Sequence, residues 1–313
     1  MSSRSRSPDR KIPTVKARWA LDKLLNDQAA GLRRLLGKTG FQVITVMSGQ
    51  QGAGKTAATA NLAVALAHSG RDVLIIDQNQ QGRGASHALG LTPRFDVADV
   101  IEGRCPLEAL ILNGPDNVQV LPLGGGFRRL GRLSERDQEW LAQNFNRLQC
   151  GVDVVLVDME EATDPDALPL GLAATEIMVV LPPGGAALTQ AYTLVKRLAQ
   201  NFGKRKFRLL LNRMESSEQA QALAHNFART AAQYLSVSVD YLGYIPLDER
   251  LSRANRLRTS VVGAFPVAQS TSHFHKLAEG LSQWSQPSSL SNVGGFMQQV
   301  IQGGQLIEAC RRG

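Results

Sequence analysis

Gly49, Gly54, Lys55 and Thr56 stand at the spacing G-x-x-x-x-G-K-[ST], the pattern of a phosphate cradle. Glycines let successive backbone N–H groups turn toward phosphate oxygens, and a helix N-terminus behind them adds positive potential. In Gly49-Gln50-Gln51-Gly52-Ala53-Gly54-Lys55-Thr56-Ala57, Lys55 is expected on the β/γ-phosphates and Thr56 on Mg²⁺. Gly49, Gly52, Ala53, Gly54 and Ala57 are expected to line the same pocket. Two aspartates end apolar runs, Asp77 after Val73-Leu74-Ile75-Ile76 and Asp158 after Val154-Val155-Leu156-Val157. The second run has the form of a Walker B strand, whose carboxylate faces Mg²⁺ through water, and both aspartates are expected at the metal.

These groups need a strand before the glycines and a helix after them. Phe41 to Met47 is apolar and β-branched, and Thr56 onward places Ala60, Ala63, Val64 and Ala67 at helical spacing. Further strands are expected at 118–121, 177–181, 207–211 and 241–245, with helices at 135–147, 186–201, 217–234 and 267–284. The alternation predicts an α/β fold with a doubly wound, mostly parallel sheet. Ligands on such sheets sit at the carboxyl ends of the strands, where the glycine loop falls. The expected divisions are a basic arm over 1–40, the P-loop domain over 41–284, and a linker with a short amphipathic segment over 285–313.

Composition narrows the function. Aromatic residues make up 5% of the chain, which disfavours base stacking as the main activity. Cys105, Cys150 and Cys310 lie far apart without metal-like spacing, as in a reducing compartment. No apolar h-region follows Met1, and no apolar run is long enough to span a bilayer. The net charge of +8 is concentrated in residues 1–40, which hold ten Lys/Arg against three acidic residues. Such an arm suits an anionic partner or surface, or serves as a solubilising tail. The expected location is cytoplasmic, with peripheral attachment at the inner face of the membrane left open.

The chain resembles the ParA/MinD branch of P-loop ATPases, and within it the FlhG (FleN) group of flagellar number regulators. The likeness runs from about Phe41 to Leu281 and is carried by GKTAATANLAVALA, VLIID, Val97 to Cys105, Leu211-Asn212-Arg213, Tyr244-Ile245-Pro246-Leu247-Asp248 and Arg253-Ala254. It implies ATP and Mg²⁺ as cofactors, with Asn212, Arg213 and Pro246 beside the adenine. Ahead of the P-loop, Asp27, Gln28, Ala29, Leu32 and Arg33 match the DQAxxLR element. In that group this element activates the partner GTPase, FlhF. A flagellar transcription activator and flagellar switch proteins are the other implied partners, and a homodimer is implied by the branch. The plain alternative for 16–36 is an amphipathic helix packed on the body.

Three positions depart from the branch. Its signature lysine, which reaches the other subunit's nucleotide, is Gln50 here. The second Asp of its DxD, which orients the attacking water, is Asn79, and an amide cannot accept a proton as general base. After Walker B the chain reads Met159-Glu160-Glu161-Ala162 in place of a small-residue turn ending in Gly. The combination implies retained nucleotide binding with weak hydrolysis. The segment 295–301, with Leu306-Ile307, reads either as a weak membrane-binding helix or as one packed on the body. Rival readings are a MinD-like positioning ATPase, a ParA-type DNA-segregation ATPase, which would carry its basic residues on the body, and a nucleotide-free scaffold.

Overall fold

The computed structural model describes residues 41–79, 82–124, 133–147, 151–160, 173–283 and 292–301. The arm 1–40 with its DQAxxLR residues, the linker 285–291 and residues 302–313 lie outside them.

Among the described residues eight strands form one sheet in the order β3-β4-β2-β5-β1-β6-β7-β8. They are β1 (Gln42–Met47), β2 (Val73–Asp77), β3 (Leu112–Asn113), β4 (Gln119–Pro122), β5 (Val154–Asp158), β6 (Glu176–Leu181), β7 (Lys206–Met214) and β8 (Ser238–Pro246). Every pairing is parallel except β3 with β4. The doubly wound, mostly parallel sheet expected from the alternation is borne out. β3 was not expected: it is a two-residue edge strand, and Asp116 and Asn117, both at positive φ, turn the chain back into β4.

The strands are apolar almost throughout because helices cover both faces. Side chains alternate along β1, so that Val43 and Met47 join one core cluster and Ile44 and Val46 the other. The second cluster receives α1 (Lys55–His68). Its alanines at 58, 60, 63 and 65 are buried and let the helix lie close to the strands. In chain order follow the short α2 (Ala85–Ala88), α3 (Val97–Ile101) and the amphipathic α4 (Glu135–Arg147). Next come α5 (Gly185–Phe202), α6 (Ser217–Leu235), α7 (Glu249–Arg256) and α8 (Val261–Ala264), and then α9 (Gln269–Gln283).

A last helix, α10, spans 293–301. Its Val293, Phe296, Met297, Val300 and Ile301 are all buried in the first cluster, with Phe296 at 0% exposure. Of the two readings of this segment, packing on the body describes residues 293–301. Leu306 and Ile307 lie outside the described residues.

Register places the site. Asp77 of β2 pairs with Asp158 of β5, and Val46 of β1 pairs with the same Asp158. The two aspartates therefore end neighbouring strands at one level, beside the strand that feeds the glycine loop. β1 lies between β5 and β6, and a crevice at the strand ends is the ligand position of such sheets.

Candidate nucleotide and metal site

The glycine loop joins β1 to α1, and its conformation requires glycine. Gly54, at the N-terminus of α1, has φ 89° and ψ 18°, a left-handed geometry that side chains disfavour. A Cβ there would also lie 2.1 Å from Asn212 Nδ2. At Gly49 a Cβ would lie 2.4 Å from the backbone of Gln190 in α5, so the loop seats directly against that helix. Gly52 has φ 70°.

Lys55 and Thr56 start α1 and reach β5. The Lys55 ammonium donates to the carbonyl of Met159. Thr56 Oγ1 donates to Asp158 Oδ2 at 2.9 Å and lies 3.2 Å from Oδ1. Asp158 is fully buried. Burial pushes its carboxyl up to about 7; Lys55 pulls it down, Asp77 adds to the rise, and the Thr56 hydroxyl and the Ala85 N–H pull it down again.

The end of β2 holds the other polar cluster. Asp77 Oδ2 accepts from the Ser86 N–H (2.9 Å) and hydroxyl (2.8 Å). Asp77 Oδ1 accepts from the N–H and the amide of Asn79, both at 3.1 Å. The same Asn79 Nδ2 lies 2.8 Å from Asp158 Oδ2 and 3.3 Å from the Asp158 carbonyl. Asn79 is thus a donor shared by both aspartates. Gln78 is buried between them; its N–H donates to the Asp158 carbonyl at 3.1 Å and its Oε1 accepts from the Glu160 N–H at 3.3 Å. Glu160 is half-buried, while Glu161 and Ala162 lie outside the described residues. Gln50 is half-buried in the loop, and its carbonyl accepts from the Ser48 hydroxyl.

On the other side of the loop a cleft opens between Gly54 and Ala57 of the α1 end and Asn212, Arg213, Pro246 and Asp248. Asn212 Nδ2 donates to the Ala53 carbonyl at 2.7 Å, which ties the end of β7 to the loop. Its Oδ1 is buried without a partner. A buried acceptor left unmatched costs stability unless a ligand completes it. Thr45 Oγ1 of β1 is the other such atom among the described residues. Arg213 is exposed and has φ 59°, at the point where the β7–β8 register shifts. Strain of this kind collects at ligand sites. Asp248 caps α7 through the Arg250 N–H and holds Ser270 at 2.7 Å.

Two features escaped the sequence reading. Ser86 supplies both donors to Asp77 Oδ2. Asn61 in α1 accepts from the Ser260 hydroxyl (2.9 Å) and the Val261 N–H (2.7 Å), anchoring the helix behind the loop to α8. Neither belongs to a short motif.

The residues fit a magnesium nucleotide. The loop offers a glycine cradle that a Cβ would fill, and Asn212 Oδ1 is an acceptor that a base amino group could complete. Thr56, Asp158 and Asp77 supply hard oxygen donors, the kind that Mg²⁺ takes. A bound Mg²⁺ would neutralise charge on the phosphates. Lys55 would leave the Met159 carbonyl for a phosphate oxygen, and Thr56 would keep its bond to Asp158.

The profile of the CobQ/CobB/MinD/ParA nucleotide binding domain matches residues 44–260. The antiactivator FleN of Pseudomonas aeruginosa is 32% identical over 262 residues, covering 83% of this chain and 94% of FleN. The cell division ATPase MinD of Pyrococcus furiosus superposes with a TM-score of 0.60 at 25% identity, covering 78% of this chain and 99% of that one. The septum site-determining protein MinD of Pyrococcus horikoshii, complexed with Mg-ADP, has the same fold, with a TM-score of 0.60 at 24% identity over 80% of this chain and 100% of its own.

Proposed function

Because the chain belongs to the CobQ/CobB/MinD/ParA nucleotide-binding family, we propose that it binds ATP with Mg²⁺ and regulates the number and placement of flagella. The observation that carries the first half is the intact cradle, in which Lys55 and Thr56 reach the end of β5 from a glycine loop. The similarity to FleN over most of both chains supports the second half. In this reading Lys55 and Thr56 hold the β/γ-phosphates and the metal, Asp158 and Asp77 hold the metal through water, and Asn212, Arg213 and Pro246 border the base. Hydrolysis is weak, because Gln50 carries no positive charge and Asn79 donates its amide to two aspartates.

The division of labour follows the expected boundaries. Residues 41–284 bind nucleotide, and 1–40 present Asp27, Gln28, Ala29, Leu32 and Arg33 to an FlhF-type GTPase. A flagellar transcription activator and switch proteins are further partners, and a homodimer is the assembly that the branch uses. Attachment to the membrane would be peripheral and conditional; no helix of the described residues is long and apolar enough to cross one.

The test is a calorimetric titration of MgATP and MgADP, with phosphate release followed on the same sample. Saturable binding with slow turnover is the expected result, and absence of binding would end the reading. The arm is tested separately through the GTPase rate of FlhF with a peptide covering residues 1–36. A second peptide with Gln28→Ala and Leu32→Ala should lose the stimulation; equal stimulation by both returns the segment to a packing role.

A further inference from the structure

We propose that Asn79 is a positioning residue that stands in for a cation, bridging Asp77 and Asp158 so that the site keeps its geometry without bound metal. The inference rests on the metal-site reading above and concerns the state before any ligand arrives. Two carboxylates end adjacent strands in register, and like charges packed at the ends of neighbouring strands repel. Something must offset them. Lys55 does not do so by contact, since its hydrogen bond goes to the Met159 carbonyl. Among the described residues, the side chain that touches both carboxylates is Asn79.

The geometry is specific. Asn79 Nδ2 carries two hydrogens and has three acceptors in reach, Asp158 Oδ2 at 2.8 Å, Asp77 Oδ1 at 3.1 Å and the Asp158 carbonyl at 3.3 Å. Its own backbone N–H donates to Asp77 Oδ1 at 3.1 Å, which fixes the loop so that the side chain must lie here. The other oxygen of Asp77 is already taken by Ser86. Nor can the carboxylate swing aside, since Gly84 packs so closely on it that a Cβ would lie 1.9 Å from Oδ1. An Asp at position 79 has the same shape but brings a third carboxylate to within hydrogen-bond distance of two others. The added repulsion is relieved by a proton or a metal ion. With Asn79 the two aspartates are bridged without a metal ion.

The experiment compares thermal melts of the full chain in EDTA and in Mg²⁺, without nucleotide, for the parent, Asn79→Asp and Asn79→Ala. The parent is expected to melt at the same temperature in both. Asn79→Asp, purified in Mg²⁺ and then chelated, is expected to melt lower by roughly 5 °C or more and to recover most of the loss when Mg²⁺ returns. Loss of its cooperative melt on chelation, reversed by Mg²⁺, is the same result in stronger form. Asn79→Ala is expected to melt low in both conditions, since it has neither a donor nor an extra charge for the metal to answer. A merely structural role would lower both variants without rescue by Mg²⁺, and that outcome overturns the inference. An Asn79→Asp protein that melts with the parent in EDTA overturns it too. Nucleotide is absent throughout, so failure of the ATP titration would leave this result standing and the two ideas fall separately.

Discussion

The loop between β1 and α1 and the end of β2 both reach Asp158 but are made of different material. The loop is backbone: Gly54 at left-handed φ, Gly49 against the chain of α5, and a helix start from which Lys55 and Thr56 project. Little there can change without a clash. The β2 end is side chain: Asp77, Gln78 and Asn79 hold the end of β5 through amides and carboxylates. A side-chain device can be rewritten one residue at a time without moving the fold. In this family member the loop keeps its glycines, Lys55 and Thr56 and departs from the branch at Gln50, while the side-chain half departs at Asn79, and the proposed retention of ligand with slowed chemistry rests on that contrast.

The sharpest way to break this comparison is at Lys55. Lys55→Ala should weaken MgATP binding at least ~100-fold, about 2.7 kcal/mol, in a calorimetric titration. Unchanged affinity would mean that the loop is not the binding half. Next is Gly54→Ala, which puts a side chain at φ 89° and against Asn212. Strain of about 1–3 kcal/mol should appear as a lower melting temperature together with an affinity loss of roughly tenfold or more. A variant that binds as the parent does would show that the loop tolerates what its geometry forbids.

The departures at Gln50 in the loop and Asn79 at the β2 end are tested by gain rather than loss. Gln50→Lys with Asn79→Asp should raise phosphate release by about tenfold or more, and more than either change alone, because both groups act on one transition state. Fast turnover in the parent would show that Gln50 and Asn79 are no handicap. The smallest expected effect is pH dependence. Asp158 has a folded value of about 7, above its ordinary 3.8, so the folded chain keeps a proton that the unfolded chain releases. Its contribution to stability is full below about pH 4 and is lost as pH rises through about 7. The melting temperature of the nucleotide-free protein should fall across that window, and less so in Asp158→Asn. Equal slopes would place the titration elsewhere.

The backbone half was legible in the sequence because glycines at fixed spacing announce a turn, and because β2 and β5 are unbroken apolar runs ending on Asp77 and Asp158. Beyond Asp77, the side-chain half was legible only as a departure. Asn79 reads as a missing acid until Asp158 is seen 2.8 Å away. Ser86 and the Asn61–Ser260 tie carry no local signal, since their meaning lies in partners distant along the chain. The helix α7 was missed because only Leu251 and Ala254 of its eight residues are buried, so it presents a polar face nearly all round. The edge strand β3 was too short to show a period.

The burial of α10 has a consequence for how the chain matures. Phe296, Met297 and Val300 are buried in the same cluster as Val43 and Met47 of β1, so the first strand and the last described helix contribute to one core. During synthesis the N-terminal half emerges with its ligand loop already encoded but with one face of its sheet incomplete. Domains tend to fold as units as they leave the ribosome, and this one must wait until α10 has emerged. Until then an apolar trough stays open to chaperones and to other nascent chains, and truncation before residue 293 would make that exposure permanent.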